Sequence, residues 1–257
     1  MDERDKLPKS ETWVAAYDLH SPDEDRPTVD CMFSFIAKNS IGGFFAGGDQ
    51  NNNTEVSPHT KNKPKLRAEA GSLIANAKYL DSHFVKPLEN ILPKKAKRVW
   101  LDGNHDHWIE QMIEEGAELE GLQTHKYLNL EERGWKYLEC GKEYTKGKLT
   151  LIHGEQLTSS ANSAKQAVEM YCSSVLFGHF HTVQSYAKVM VSKPENKWIA
   201  YCSPILANVK AYYLRNKPTS WVNGFDVIEF RENGHFNVYP VVCIKGVASY
   251  GGRTYRG

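Results

Sequence analysis

Five short blocks of the sequence are rich in residues that bind divalent metal ions. In chain order they read Tyr17-Asp18-Leu19-His20, Gly47-Gly48-Asp49-Gln50-Asn51-Asn52, Leu101-Asp102-Gly103-Asn104-His105-Asp106, Ile152-His153-Gly154 and Gly178-His179-Phe180-His181. Together they offer carboxylate and amide oxygens and imidazole nitrogens, a mixture typical of sites for divalent transition ions. Two such ions about 3.5–4 Å apart are a known arrangement for displacement at phosphorus. The blocks therefore predict chemistry on a phosphate ester.

The spacing within the blocks allows neighbouring side chains to reach the same ion. Asp18 and His20 are two residues apart, as are His179 and His181, and alternate residues of an extended segment share a face. Asp49 follows a Gly-Gly turn, where a lone carboxylate can bridge two ions through its two oxygens. The remaining donors are one amide oxygen and one imidazole, which belong to Asn104 and His153.

Each block directly follows a short apolar stretch that we predict to be a strand. These strands are expected at 12–17, 44–46, 98–101, 149–152 and 174–177, with others at 135–138, 198–202, 225–230 and 236–243. Helices are expected at 29–38, 66–92, 108–115 and 163–171. The helix at 66–92 has apolar residues at three- and four-residue steps, and Pro87 predicts a kink or break near its end.

The alternation of strand, ligand, turn and helix predicts a layered α/β fold. Ligands that follow strands are expected at the carboxyl ends, where open α/β sheets hold their sites. Since no internal repeat or linker is evident, we predict one domain over residues 1–257. Its motif-bearing part is expected at 12–182 and a β-rich C-terminal part at 183–257.

Composition and charge leave the partner open. The chain has 257 residues, 40% of them hydrophobic and 25% charged, and a net charge of +1, so no global attraction to nucleic acid is expected. Between residues 59 and 98, however, there are ten Lys or Arg and only three Asp or Glu. This run is either a solvated helix face or, in the loop that contains Lys61, a contact to substrate. Residues 250–256 mix aromatics with Arg, and a frayed tail is favoured slightly over a nucleic-acid contact.

Cysteine usage and the N-terminus predict a cytoplasmic chain. The five Cys are scattered without a Cys-x-x-Cys pair, which disfavours a disulfide framework or a cysteine-based zinc site and fits a reducing compartment. The first six residues are too charged for a signal peptide. No apolar run approaches the ~18–20 residues of a membrane helix, so no membrane partner is expected, and the oligomeric state is not indicated.

The five blocks together resemble the signature of the calcineurin-like metallophosphoesterase superfamily, in its small prokaryotic or phage-type form. That signature reads Asp-x-His, Gly-Asp, Gly-Asn-His-Asp/Glu, His and Gly-His-x-His, and its matches run from Asp18 to His181, about two thirds of the chain. The resemblance implies a four-layered α/β/β/α sandwich with two central mixed β-sheets flanked by helices.

The resemblance also implies a ligand set and a mechanism. Two divalent metal ions are expected per chain, Mn²⁺ foremost, with Fe, Zn²⁺ or Ni²⁺ as alternatives. One ion would be held by Asp18, His20 and His181, the other by Asn104, His153 and His179, and both by the bridging Asp49. A hydroxide bridging the metals would attack phosphorus. His105 would be the catalytic residue that stabilises charge or protonates the leaving oxygen.

One position departs from the family pattern. Many relatives carry Asp or His three residues after the bridging Asp, as a partner of the catalytic His, whereas this chain has Asn52. Asp102 or Asp106 are alternative partners of His105, and Asp106 is also expected to brace its turn. Asn52, His107 and Lys61 are candidate substrate contacts.

Three functions remain open at this stage. The leading prediction is a phosphodiesterase or nuclease-like hydrolase acting on nucleic acid or nucleotides. The first alternative is a phosphomonoesterase acting on proteins or small molecules, since the same metals serve both reactions. The second alternative is a non-catalytic interaction module on the same fold.

Overall fold

The computed structural model describes residues 10–158, 161–215 and 217–257, and this part of the chain contains both strands and helices. The strands are β1 Ser10–Ala16, β2 Gly43–Gly47, β3 Lys97–Leu101, β4 Lys136–Leu138, β5 Tyr144–Lys146, β6 Leu149–Leu151, β7 Ser174–Phe177, β8 Gln184–Met190, β9 Lys193–Cys202, β10 Gly224–Arg231, β11 Phe236–Val242, β12 Val247–Tyr250 and β13 Arg253–Arg256. The helices are α1 Arg26–Lys38, α2 Pro64–Glu69, α3 Leu73–Leu80, α4 Lys86–Ile91, α5 Asn104–Glu114, α6 Thr124–Tyr127 and α7 Ser163–Tyr171.

Two mixed sheets form the centre of the molecule. One has the order β11-β10-β1-β2-β3-β4 and the other β5-β6-β7-β9-β8, while β12 and β13 form a separate hairpin. β1 to β4 run parallel to one another, and so do β6, β7 and β9. Antiparallel strands complete both sheets, which makes each of them mixed.

Alternating side chains explain how the sheets and helices stack in four layers. In β1, Trp13 and Ala15 pack in a cluster that also contains Leu151 and Leu176 of the second sheet. Val14 points to the other face, into a cluster with residues of α1, α3 and α4. A third cluster joins the outer face of the second sheet to α7. Because successive strand residues face opposite sides, this order confirms the predicted α/β/β/α sandwich.

Capping and periodicity account for the helix that covers the first sheet. The Asp25 carboxylate accepts a hydrogen bond from the backbone N–H of Thr28 at 3.0 Å, which satisfies a free donor at the start of α1. Val29, Met32 and Ile36 are buried, at the three- and four-residue spacing of one helix face.

The predicted helix at 66–92 is interrupted earlier than expected. Gly71 has a φ of +87° and separates α2 from α3, whose first turn is capped by Ser72 through a 3.2 Å hydrogen bond from the N–H of Ala75. At Pro87 the chain does not break: a wide π-helical turn, Asp81–Val85, leads into α4. Proline lacks an N–H, and the carbonyl of His83 instead accepts a 2.7 Å hydrogen bond from the guanidinium of Arg26.

The C-terminal segment is ordered, so the expected frayed tail is wrong. β12 and β13 pair in register and pack against α1. The Tyr255 ring is 2% exposed, and its centroid lies 5.0 Å from that of Phe35. Burial of this aromatic side chain holds the hairpin in place.

The remaining elements lie close to their predicted positions, with a few additions. α7 and β7 have the predicted bounds, whereas α5 begins four residues and β9 five residues before the predicted start. The strands β5 and β8, the helix α6 and the β12–β13 hairpin were not predicted. All five cysteines are free, as the sequence suggested. No helix within the described residues is long and apolar enough to cross a membrane.

Candidate metal centre

The five blocks meet because their strands end at one edge of the two sheets. β1, β2 and β3 are parallel neighbours in the first sheet, and β6 and β7 are parallel neighbours in the second. Backbone hydrogen bonds tie the loops that follow: His20 N donates to Asp49 O at 2.9 Å, and Gly178 N donates to His153 O at 2.8 Å. A bond of 2.9 Å from His179 N to the Asp18 carboxylate links the two sheets.

One group of donors is formed by Asp18, His20 and His181. The Nε2 atom of His181 lies 3.2 Å from Asp18 Oδ1 and 3.4 Å from Nε2 of His20. His20 Nε2 lies 3.8 Å from the same carboxylate oxygen. The ligand atoms of all three residues lie within 4.8 Å of one another, so one cation could contact them together.

A second group contains Asp49, His153 and His179, which also lie within 4.8 Å of one another. His153 Nε2 lies 3.3 Å from Asp49 Oδ2 and 3.1 Å from the amide oxygen of Asn104. Asp49 Oδ2 is also 4.0 Å from Nε2 of His20, which belongs to the first group. The structure thus brings all seven predicted donors together, with Asp49 between the two groups.

The donor set fits divalent cations. Asp18 Oδ2 accepts the N–H of His179, but the buried Oδ1 has no hydrogen-bond partner among the described residues. The two carboxylate oxygens of Asp49 also differ in their surroundings. Oδ1 accepts the N–H of His105 at 2.9 Å, and Oδ2 lies near the imidazoles of His153 and His20. A buried carboxylate oxygen without a partner is costly, and a coordinated cation would satisfy it.

The ionisation of the two carboxylates also suits cation binding. Burial would raise the pKa of the Asp18 carboxyl, but the charge of His181 outweighs it and holds the pKa at about 2. Burial likewise opposes ionisation of Asp49, and His153 nevertheless holds its pKa well below the usual range. Both carboxylates are therefore ionised at neutral pH, as metal ligands must be. Burial opposes a charge on His153, but the charge of Asp49 raises the pKa of His153 to about 10, so metal binding there would release a proton.

A backbone carbonyl that is not one of the metal donors orients the ring of His153. Its Nδ1 lies 2.9 Å from the carbonyl oxygen of Gly47, and since a carbonyl can only accept, Nδ1 carries the proton. This leaves Nε2 directed at Asp49 and Asn104. Ligating histidines are commonly held by such a second hydrogen bond, which selects the tautomer.

Five of the seven donors have left-handed backbone conformations. The φ angles are 51° at Asp18, 50° at His20, 54° at Asp49, 67° at His179 and 62° at His181. This region is uncommon for residues other than glycine and costs on the order of 1–3 kcal/mol where the surrounding structure imposes it. Such conformations concentrate at functional sites, and Asp and His are among the non-glycine residues that adopt them most often.

The hydrogen-bond partner of the His105 ring is the backbone carbonyl of Asn52. His105 Nδ1 lies 2.7 Å from the main-chain carbonyl oxygen of Asn52, while the Asn52 side chain donates to Asp23 at 2.8 Å. The carbonyl therefore fixes the Nδ1–H tautomer and leaves Nε2 on the side of Asp49, 3.8 Å from Oδ2. Burial lowers the pKa of His105, and the charge of Asp49 opposes that effect.

Neither Asp102 nor Asp106 partners His105, contrary to the alternatives considered from sequence. Asp106 Oδ2 accepts the N–H groups of Gly103 and Asp49, each at 3.1 Å, and so braces the turn as expected. Asp102 accepts from Trp100 at 3.1 Å and from the Tyr137 hydroxyl at 2.7 Å. Its hydrogen bonds therefore point away from the cluster.

The other candidate substrate contacts lie outside the cluster of donors. His107 lines a separate cavity of about 420 Å³ with Asp102 and His125, because residues two apart on a helix do not share a face. Lys61 is exposed and lines a cavity of about 170 Å³ beside Trp108.

Two tryptophans at the site were not predicted. The Trp108 ring centroid lies 3.9 Å from that of His105, and Trp221 lies 4.3 Å from His181. The spacing of three residues on α5 could have indicated Trp108. Trp221 is 40 residues from His181 in the chain, and no sequence signal connects them.

Comparisons with known proteins add the following. No family model matches the sequence, and no significant match was found among curated proteins. Similar solved structures include a predicted phosphoesterase from Streptococcus pneumoniae (10% identity, 98% of this chain and 99% of that one, TM-score 0.39). Another is vacuolar protein sorting 29 from Cryptosporidium parvum (13% identity, 96% of this chain and 96% of that one, TM-score 0.46). A third is a metallophosphoesterase from Sphaerobacter thermophilus (11% identity, 89% of this chain and 88% of that one, TM-score 0.38).

With identities of 10–13% and TM-scores below 0.5, these likenesses carry no inference about activity, which rests on the site itself.

Proposed function

We propose that this protein hydrolyses phosphodiesters with the help of two divalent metal ions. The observation that supports this most directly is the position of Asp49. Its Oδ2 atom lies 3.3 Å from His153 and 4.0 Å from His20, residues that belong to different donor groups. Asp18, His20 and His181 would hold one ion, Asn104, His153 and His179 the other, and Asp49 would contact both.

The ions, when bound, would supply Lewis-acid chemistry at phosphorus and lower the pKa of water. The residues of the chain would balance charge, hold the His105 ring and supply a proton. The two ionised carboxylates balance the positive charge at the site. The main-chain carbonyl of Asn52 holds the His105 ring so that Nε2 lies 3.8 Å from Asp49 Oδ2. In its protonated form His105 can donate the Nε2 proton to the leaving oxygen.

A diester is favoured over a monoester by the charge around the donors. Among the described residues, no lysine or arginine forms an ion pair with Asp18 or Asp49, whose charged partners are all histidines. A monoester dianion carries one more negative charge than a diester and calls for such a contact. The basic residues Lys61, Lys63 and Arg67 line cavities beside the cluster, where they suit the neighbouring phosphates of a nucleic acid or nucleotide.

Metal analysis and a substrate panel test the proposal. The Mn²⁺-loaded chain is assayed with bis(p-nitrophenyl) phosphate, p-nitrophenyl phosphate, and single- and double-stranded DNA. We expect about two metal ions per chain and turnover of the diesters. Asp49→Asn should lose both, whereas Asp30→Asn, a partly exposed carboxylate of α1, should retain both.

The alternatives give different results in the same experiment. Brisk monoester turnover without any diester turnover would replace the diesterase by a phosphomonoesterase. A chain that binds no metal and turns over neither substrate would instead be a non-catalytic interaction module.

A further inference from the structure

A cavity of about 210 Å³ lies beside His105. It is lined by Asn52, Thr54, Ser57, His59, Thr60, Lys63, Leu66, His105, Trp108 and Tyr213. His105 lines this cavity, and its ring nitrogen also lies within 4.8 Å of the ligand atoms of His20 and Asp49. The cavity therefore adjoins the residue that would protonate the leaving oxygen.

Flat aromatic side chains form much of the wall. Trp108 is 7% exposed and packs against the His105 ring at 3.9 Å. The His59 ring meets Trp108 edge-on, at a centroid distance of 5.8 Å. Tyr213, in a short 3₁₀ turn at Tyr212–Leu214 before β10, also lines the cavity. Such walls favour a planar ring, because aromatic pairs gain energy beyond the area they bury.

One wall also carries a hydrogen-bond donor that is unused. The Tyr213 hydroxyl is buried and has no hydrogen-bond partner within the described part of the chain. Burial raises the pKa of Tyr213, so the hydroxyl keeps its proton and can donate. A ring with an acceptor at its edge would satisfy this group, whereas a purely hydrocarbon ring would not.

Cationic side chains stand next to the aromatic wall. Lys63 lines this cavity, and Lys61, Arg67 and Glu115 line a second cavity that also includes Trp108. The Nε atom of Arg67 is buried without a hydrogen-bond partner among the residues described. Phosphate groups are the usual counterparts of such side chains.

From these observations we infer that the cavity binds the base of a nucleotide unit on the leaving side of the substrate. This inference rests on the proposed function and specifies its substrate class. The base would pack between the aromatic walls and accept a hydrogen bond from Tyr213. Lys63 would contact an adjoining phosphate.

The alternative occupants fit less well. Inorganic phosphate or a small alkyl ester would leave the aromatic walls and the Tyr213 hydroxyl without partners. Base stacking on aromatic side chains is typically worth about 1–3 kcal/mol, and this corresponds to roughly 5- to 150-fold in affinity.

Calorimetric titration of the Mn²⁺-loaded full chain tests the inference. The probes are thymidine 5′-monophosphate, a dinucleotide and inorganic phosphate. We expect the nucleotide to bind about tenfold more tightly than phosphate. Tyr213→Phe should weaken binding of the mononucleotide about threefold to tenfold and leave phosphate binding unchanged. Lys63→Ala should weaken binding of a dinucleotide by a similar factor, because the dinucleotide carries the adjoining phosphate that the mononucleotide lacks.

Matched variants exist beside both residues. Tyr212→Phe changes a neighbouring tyrosine that lines a different cavity, and Lys65→Ala removes an exposed lysine two residues from Lys63. Both should bind the mononucleotide and the dinucleotide like the unchanged chain. Equal affinity for nucleotide and phosphate in the unchanged chain would overturn the inference, as would equal losses in Tyr213→Phe and Tyr212→Phe.

The source of the nucleotide unit follows from a further titration. Tighter binding of a short oligodeoxynucleotide than of the mononucleotide would support a nucleic-acid strand, and equal affinities would support a free nucleotide ester. Binding is measured without turnover, so a chain that binds nucleotide but hydrolyses no diester refutes the proposed function and not the cavity's ligand.

Discussion

Asp226 should make this protein less stable as the pH rises from weakly acidic to neutral values. It lies in β10, opposite Ala15 of β1, and is fully buried. One of its oxygens accepts the Ser203 hydroxyl, and the other has no hydrogen-bond partner in the described chain. Burial raises the pKa of its carboxyl from 3.8 to about 7.

The size and sign of the effect follow from these two values. Below pH 3.8 the folded and unfolded states both hold the proton. Above that value the unfolded chain releases it, while the folded chain retains it until about pH 7. The free energy of unfolding therefore decreases as the pH rises through this window. Three pH units at about 1.4 kcal/mol each amount to about 4 kcal/mol.

Asp226→Asn removes the titrating group and keeps an oxygen that can accept from Ser203. We expect the variant to lack this decrease, so that its stability relative to the unchanged chain improves by up to about 4 kcal/mol between pH 4 and pH 8. Urea unfolding followed by tryptophan fluorescence at a series of pH values measures the difference. Glu232→Gln, an exposed acid in the β10–β11 turn, is the control. Parallel pH profiles for Asp226→Asn and the unchanged chain would refute the reasoning.

Three further predictions concern the site. His105→Ala should lower kcat for an aryl diester by about 10²–10⁴-fold without changing the metal content measured by mass spectrometry, and full activity would exclude the acid role. Asn52→Ala should cost far less, because His105 bonds to the Asn52 carbonyl and not to its side chain; a loss as large as that of His105→Ala would contradict this geometry. Gly103→Ala would place a Cβ 2.7 Å from Asp49 N and 2.8 Å from His153 Cε1, so equilibrium dialysis should show weaker metal binding, and unchanged binding would show that the turn can shift.

Much of the secondary structure could be predicted because it depends on local patterns. The strands at 44–46, 98–101 and 174–177 are runs of apolar residues, and in the structure β2, β3 and β7 are buried on both faces. Such runs are typical of strands inside parallel sheets. β8 was not predicted, because it is half exposed and mixes polar with apolar residues. The C-terminal hairpin was not predicted either, since Tyr255 packs against Phe35 of α1, which is far away in the sequence.

The sequence by itself determined which residues could hold metal ions, because carboxylate, amide and imidazole groups stand in five spaced blocks. It also determined that strands deliver them, because apolar runs precede each block. Only the tertiary structure decided that Asn52 supports His105 through its carbonyl, since every residue type has one. It alone decided that Trp108, Tyr213 and Lys63 share a cavity, because their proximity depends on how α2, α5 and the loop before β10 pack. Residue type and spacing encode chemistry and local geometry, whereas contacts between distant segments exist only once the chain has folded.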